Sequence, residues 1–283
     1  MDDSSSADFA VATMPRGGPN ASWLDRRLQT DIPEYTDRYD VSDEVKQAVI
    51  DALERMGTRS GQHQRQAQVA VNVVADVPRP RILELGAGHG KLSASILALH
   101  PTASVTVSDL DPTSVANIAA GELGRHPRAR TQVVDATAID AEDDSYDLVV
   151  FSTAFHHLPP VTAHRAIAEA TRVGRRFLVM DLKRPPSLGL VLLPLVAAPV
   201  AAIAATVRPK LRPVIHDGFI SALRAYSESA FAALGRAVDP QMHIEFLPSA
   251  QRFGPAPITV VFARPRTTPT PPEVTISTMK DRA

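Results

Sequence analysis

Hydrophobic positions along the 283-residue chain change their period twice. From Trp23 to Val77 they recur at helical spacing. Val45, Ala48, Val49, Ala52, Leu53 and Met56 form one stripe, with Ser42 placed to cap its start and Gly57 to stop it. A second stripe, Ala67, Val69, Ala70, Val73 and Val74, predicts a helix over 66–75 that ends ahead of Pro78 and Pro80. Thr58–Arg65 between them reads as a polar linker. It is a solvated loop on composition, or a segment from which Gln62 or Arg65 reaches a bound anion.

From Arg81 the pattern shortens. Apolar, β-branched runs at 81–85, 104–108, 130–136, 145–152 and 175–182 alternate with helical stretches, including one from Val161 to Val173 that Gly174 ends. Such alternation predicts an α/β fold with a parallel sheet covered on both faces, whose ligands bind beyond the carboxyl ends of the strands. Two late runs, 242–247 and 258–263, predict a hairpin closing one sheet edge, and Ser227 is placed to cap a helix over 228–234. Residues 185–207 carry no charge and are long enough to cross a bilayer, but Pro194 and Pro199 interrupt them. Three readings stand for this segment: a span, a membrane-surface contact, or an apolar helical cap over the active site. Residues 1–20 and 265–283, rich in Ser, Asp, Pro and Thr, are expected to be disordered tails. The expected organisation is a helical lid at 21–78, a core at 79–184, an apolar cap and substrate segment at 185–240, and a hairpin at 241–264.

Composition narrows the function. A formal net charge of -1 leaves no basic excess for nucleic acid. The absence of cysteine excludes disulfides, thiolate metal sites and a Cys nucleophile, and fits a reducing compartment. No metal site is read from the sequence. The acidic start, Met1–Ser6, lacks the apolar core of a signal peptide, so a cytoplasmic protein is expected. Lysine at only five positions among many alanines goes with a GC-rich bacterial genome.

Candidate chemistry collects at the predicted carboxyl edge. The turn Gly86-Ala87-Gly88-His89-Gly90 lets the backbone take positive φ and lets a ligand approach the main chain, a signature that several nucleotide cofactors share. Asp109 ends the second strand about 20 residues on, where an acid accepts from ribose hydroxyls; a second capping residue is the plainer reading. Asp111, followed by Pro112, reads as a helix N-cap. Asp135, His156, His157 and Asp181 fall at the same edge.

In order, the segments 83–90, 107–112, 134–136 and 146–152 with His156-His157-Leu158 resemble class I S-adenosylmethionine-dependent methyltransferases. The last is similar to the small-molecule enzymes of the ubiquinone and menaquinone type. The likeness covers 81–181 well and 242–263 loosely. It implies a Rossmann-like, doubly wound seven-stranded sheet with N-terminal helices and a helical cap insertion, and S-adenosyl-L-methionine as cofactor. It implies that Gly86, Ala87 and Gly88 pass beneath the methionyl part. Glu84 would orient the turn or approach the ammonium. Asp109 would hold the ribose with Leu110 against adenine, Asp135 the adenine amine with Ala136 beside it, and Ser152 the methionyl amino group. His156 and His157 would lie near the methyl position as candidate bases or as pocket walls, and His216, Arg224 and Tyr226 would face the acceptor.

The expected reaction is methyl transfer to an oxygen, or secondarily a carbon, of an apolar small molecule such as a bacterial secondary metabolite or quinone-like compound. A non-methyl reaction such as cyclisation on the bound cofactor, and a membrane-associated lipid methyltransferase using 185–207, are the alternatives. A homodimer is left open.

Overall fold

A computed structural model describes residues 11–207, 212–249 and 257–265. Its N-terminal part is helical: α1 (Trp23–Arg27), a 3-10 turn (Tyr35–Asp37), α2 (Asp43–Arg59) and α3 (Gln62–Val73). The polar stretch at 58–65 is not a linker. Thr58 and Arg59 continue α2, Gln62 to Arg65 open α3, and the reversal takes only Ser60 and Gly61. Gly61 makes this possible with φ 66°, a conformation that costs side-chain-bearing residues about 1 kcal/mol or more. Gly57 serves the helix crossing rather than a stop: a Cβ there would lie 2.6 Å from the His63 ring. Arg65 Nη1 donates to Ser60 O at 2.5 Å, closing the turn. Ser42 occupies the N-cap position of α2 without a side-chain capping bond.

The sheet follows as β1 (Arg81–Leu85), α4 (Lys91–Leu99), β2 (Ser104–Asp109), α5 (Pro112–Ala120), β3 (Ala129–Val133), β4 (Leu148–Ser152), α6 (Pro160–Val173) and β5 (Phe177–Leu182). Then come α7 (Ser187–Val207), α8 (Arg212–Arg224), α9 (Glu228–Val238), β6 (His243–Phe246) and β7 (Pro257–Ala263). Strand order is β3-β2-β1-β4-β5-β7-β6, with β7 antiparallel to both of its neighbours. This is the expected Rossmann-like, doubly wound seven-stranded sheet.

Period-2 alternation sorts its side chains into two cores. Leu83, Leu85, Val149, Phe151, Phe177 and Val179 face α6 and α9. Ile82, Leu148, Val150, Leu178 and Met180 face α3 and α4. By the same alternation Glu84 points to the α4 side. The order reverses at β1, between β2 and β4, which opens the crevice where such sheets bind ligands.

Residues 11–20 are not a disordered tail. Val11, Met14 and Arg16 are buried, and Arg16 Nη1 donates to His156 O at 2.8 Å and to Arg224 O. The segment folds because it has apolar anchors for the sheet core and buried carbonyls to satisfy. The other tail expectations, for 1–10 and 266–283, lie outside the described residues.

Helix α7 packs against α8, burying Leu190. On another face it exposes Leu188 (66%), Val191 (36%), Leu192 (45%) and Leu195 (69%), an i, i+3, i+4, i+7 stripe turned to solvent. Among the described residues no helix is long and apolar enough to cross a membrane. In α7 itself Pro194 and Pro199 each remove a ladder N–H, which a hydrocarbon interior penalises.

Candidate active site

The turn after β1 is held from the β2 side. Gly86, Gly88 and Gly90 have φ of 62°, 58° and 76°. Ala87 N donates to Ser108 O at 2.9 Å, and Gly88 N donates to Asp109 Oδ2 at 2.8 Å. A Cβ at Gly86 would lie 2.8 Å from the Phe151 ring, whereas one at Gly88 would meet only Ile50 Cγ2, at 3.6 Å. Gly86 is therefore fixed by packing, whereas at Gly88 a side chain would meet only ordinary contact with Ile50 of α2. From above, α2 reaches the same turn: His89 Nδ1 lies 2.9 Å from Glu54 Oε2 and His89 Nε2 3.0 Å from Gln47 Oε1.

Of the two roles expected for Glu84, the structure shows the carboxylate turned to α4. It is buried and accepts from Ser93 N at 3.0 Å and from Ser93 Oγ. Burial raises its pKa to about 7 against the pull of those two bonds. Asp109 Oδ1 accepts from Asp111 N at 3.0 Å, and burial raises this carboxyl as well. Asp111 caps α5, accepting from Thr113 N and Ser114 N. Leu110 is exposed beyond the end of β2, as is Val133 at the end of β3. Asp135 lies past β3 and is exposed, with Oδ1 taking the Thr137 N–H and hydroxyl, both at 2.8 Å, and Ala136 is half-buried beside it.

Ser152 closes β4, and its buried Oγ has no hydrogen-bond partner. The next residue, Thr153, has φ 56°. A β-branched residue in that region is strained, and such strain collects at functional sites.

Two residues on, the chain turns through Phe155–His157 and meets the N-terminal segment. His156 is buried: its backbone N donates to Asp181 Oδ2 and its Nδ1 lies on Asp181 Oδ1, both at 2.7 Å. His157 Nδ1 lies 2.7 Å from Asp37 Oδ1. The Nε2 atoms of both rings turn to Glu34, at 3.4 Å from Oε1 for His156 and 3.5 Å from Oε2 for His157. Glu34 is buried and also accepts from Ser221 Oγ at 2.9 Å. Burial alone would lower the His156 pKa, but Asp181 and Glu34 outweigh it and push it up to about 10. Burial raises Asp37 and Glu34, but their polar partners, His157 and Arg224 for Asp37 and His156, His157 and Ser221 for Glu34, outweigh it and lower both.

The expected acceptor residues do not behave alike. Tyr226 is core: it is fully buried among Phe155 and Phe231, and its hydroxyl donates to Leu158 O at 2.7 Å. Arg224 is also committed internally, with Nη1 on Asp37 Oδ2 at 2.6 Å and Nη2 on His157 O at 2.5 Å. These two are corrections; both residues brace the histidine turn. His216 alone stays partly open, edge-on to Tyr35 with ring centroids 5.2 Å apart, its Nδ1 3.0 Å from Asp217 Oδ1.

Sequence reading missed Glu34, Asp37 and Arg16. The 28–42 stretch has no apolar period, and its only signal was two acids flanking Tyr35 and Thr36 in an otherwise polar run.

Comparison with known proteins agrees with this arrangement. Residues 82–176 match the family model described as a methyltransferase domain. A malonyl-[acyl-carrier protein] O-methyltransferase of Geobacter sulfurreducens is 39% identical over 93 residues, 33% of this chain and 34% of that enzyme. The chain thus matches about a third of that relative's length. The plantazolicin methyltransferase BpumL, in complex with a monoazolic desmethylPZN analog and SAH, superposes with a TM-score of 0.59 at 11% identity, over 86% of this chain and 96% of that one. The same enzyme with SAH alone gives 0.58 at 11% identity, over 93% and 98%. At such identities the likeness is one of fold. The family match runs from β1 to the residue before β5, the part that carries the glycine turn, Asp109, Ser152 and the histidine pair, and over that third of its length the chain is similar to methyltransferase domains.

Proposed function

We propose that this chain transfers the methyl group of S-adenosylmethionine to an oxygen of a fairly apolar small molecule. One observation carries the reading: the open glycine turn with Asp109 and the acid–histidine cluster of Glu34, Asp37, His156 and His157 stand at the same sheet edge, joined by the short segment after Ser152.

The residues fit the cofactor. Ser152 Oγ is a buried hydroxyl without a partner, suited to an ammonium. Gly88 puts no side chain on the turn, and Leu110 offers an exposed apolar side beside Asp109. Gly86, Ala87 and Gly88 would seat the methionyl part, Asp109 the ribose hydroxyls, and Asp135 with Ala136 the adenine. Glu84 fixes the turn from below rather than touching the ligand. When bound, the cofactor supplies an already activated sulfonium methyl.

The chain's work is to align the acceptor and exclude water. His156, clamped by Asp181 through both ring and backbone, sets the geometry of the segment. His157 is the more open member, with Asp37 behind its Nδ1 as a base with an orienting acid would have, and it takes the acceptor's proton. His216 lies at the acceptor side.

An open hollow of about 450 Å³ lies between 27–30 and α7 and α8, with Leu28, Leu190, Val191, Phe219 and Leu223 on its walls beside Arg27, Gln29 and Thr30, a mixed lining suited to an acceptor with an apolar body. The exposed stripe of α7 favours a second reading, delivery of the acceptor from a lipid surface. Calorimetric titration with S-adenosylmethionine, with Asp109→Ala as control, tests the core of the proposal. Absence of binding by the unaltered protein sinks it.

A further inference from the structure

Two buried or half-buried imidazoles turn the same nitrogen toward one carboxylate, and none of these contacts is a good hydrogen bond. Each Nδ1 is already bound to its own acid at 2.7 Å, Asp181 for His156 and Asp37 for His157. In the neutral ring that bond places the proton on Nδ1 and leaves Nε2 as a bare acceptor. Both Nε2 atoms nevertheless point at Glu34, itself an acceptor, at 3.4 and 3.5 Å. Charge-assisted hydrogen bonds between such groups run to about 2.7–2.9 Å. His156 Nε2 is buried with no hydrogen-bond partner at all. Acceptors so arranged repel one another unless a proton or another cation lies between them, and a metal ion would take the place of that proton.

The spacing says what. Metal–ligand bonds of about 2.0–2.1 Å place two ligand atoms of a tetrahedral site about 3.3–3.4 Å apart. His156 Nε2 lies 3.4 Å from Glu34 Oε1 and His157 Nε2 3.5 Å from the other oxygen, Oε2, so each imidazole stands at ligand–ligand spacing from one oxygen of the carboxylate, and one ligand atom from each of the three residues falls within 4.8 Å of the others. The supporting shell also matches: metal-binding histidines donate their other ring N–H to a carboxylate, which fixes tautomer and orientation. Charge agrees as well. Among the described residues Glu34, Asp37 and Asp181 face one directly paired guanidinium, Arg224, so apart from protons on the imidazoles the cluster carries an excess of negative charge that a bound dication would offset.

We propose that Glu34, His156 and His157 form a binding site for a divalent first-row transition metal ion, with Asp37 and Asp181 as its orienting carboxylates. Two imidazoles and a carboxylate leave at least one position open, and nitrogen–oxygen donor sets of this kind suit zinc or ferrous iron. The ion's part in the reaction rests on the methyl-transfer reading. A hydroxyl coordinated at the open position becomes more acidic, so His157 serves as a ligand and coordination does the work otherwise given to it as a base.

The test reads metal binding directly, so its failure leaves methyl transfer standing with His157 as the base. The full chain, free of any histidine tag and stripped with a chelator, is titrated with Zn²⁺ against a chromophoric chelator, and with Co²⁺ followed by its visible absorption. One equivalent should bind tightly, with intense absorption of low-coordinate Co²⁺. Glu34→Gln and His157→Ala should each weaken binding by about 100-fold or more. Asp37→Asn, which touches only the supporting shell, should weaken it by roughly 10- to 100-fold. Circular dichroism checks the fold of each. If Glu34→Gln does not fold, the half-buried His157→Asn gives the same readout. Binding no tighter than that of a Glu34→Gln/His157→Ala double variant, or binding that all these variants leave unchanged, overturns the proposal.

Discussion

Gly86 and Gly88 lie two residues apart in one turn with nearly equal φ, 62° and 58°, yet alanine should act at them in opposite ways. Each substitution costs about 1–2 kcal/mol for placing a side chain in the left-handed region. At Gly88 nothing is added to that, because the new Cβ meets only Ile50 Cγ2 at ordinary contact distance, 3.6 Å. At Gly86 the Cβ would press on the Phe151 ring at 2.8 Å, with Ala154 Cβ at 3.4 Å, in a core where overpacking costs a further 1–3 kcal/mol or so. For a chain of this size each kcal/mol moves Tm by roughly 2–4 °C. Gly88→Ala should therefore melt within about 8 °C of the unaltered protein, and Gly86→Ala should fall further, by roughly 4–20 °C. Ligand binding should follow a different order. The Gly88 methyl protrudes where the methionyl part is seated, so Gly88→Ala should bind S-adenosylhomocysteine at least roughly 10-fold more weakly, equivalent to about 1.4 kcal/mol, while keeping its fold. Differential scanning calorimetry and isothermal titration measure the two effects. Unchanged S-adenosylhomocysteine affinity in a folded Gly88→Ala variant would refute the placement of the cofactor on this turn.

Three further outcomes follow from other parts of the site. Glu84 has its folded pKa raised to about 7 from 4.5, so its favourable contribution is present in full below pH 4.5 and is lost as pH rises through 7, by about 3 kcal/mol in all. Urea titrations at pH 5 and 8 should show that slope, and Glu84→Gln should flatten it; an unchanged slope in the variant would count against a buried neutral carboxyl. Asp181→Asn removes the acid that holds both the His156 ring and its backbone N–H, at 2.7 Å each, and should cost about 3–5 kcal/mol by denaturant titration. A loss under 1 kcal/mol would show that the pair does not organise the segment. Leu188→Ser/Leu195→Ser, on the exposed stripe of α7, should abolish cosedimentation with vesicles of mixed phosphatidylcholine and phosphatidylglycerol without changing Tm. Cosedimentation absent from the unaltered protein, or equal in both, rejects the lipid-surface reading.

The parallel core was legible because its elements are local. Strands buried on both faces read as continuous apolar runs, glycines mark the turn, and Asp111-Pro112 marks the start of a helix, all within a few residues of one another. Asp109, Ser152 and the histidines could be placed at one sheet edge because parallel strands bring all their carboxyl ends to the same side. The N-terminal helical segment was only half legible. The stripes of α2 and α3 announced two helices, but a two-residue reversal built on Gly61 cannot be told from a longer polar loop by composition.

What the sequence determined by itself is therefore the sheet, its carboxyl edge and the glycine turn that stands there. What only the tertiary structure decided is the acceptor side. Glu34 and Asp37 reach His156 and His157 across more than 100 positions of sequence, and Arg224 and Arg16 join them from opposite ends of the chain. No local pattern encodes that meeting. A buried charge gains its partners from packing, and it was the packing of 11–40 against the histidine turn that committed Arg224 and Tyr226 to internal bonds and brought Glu34 to the two imidazoles.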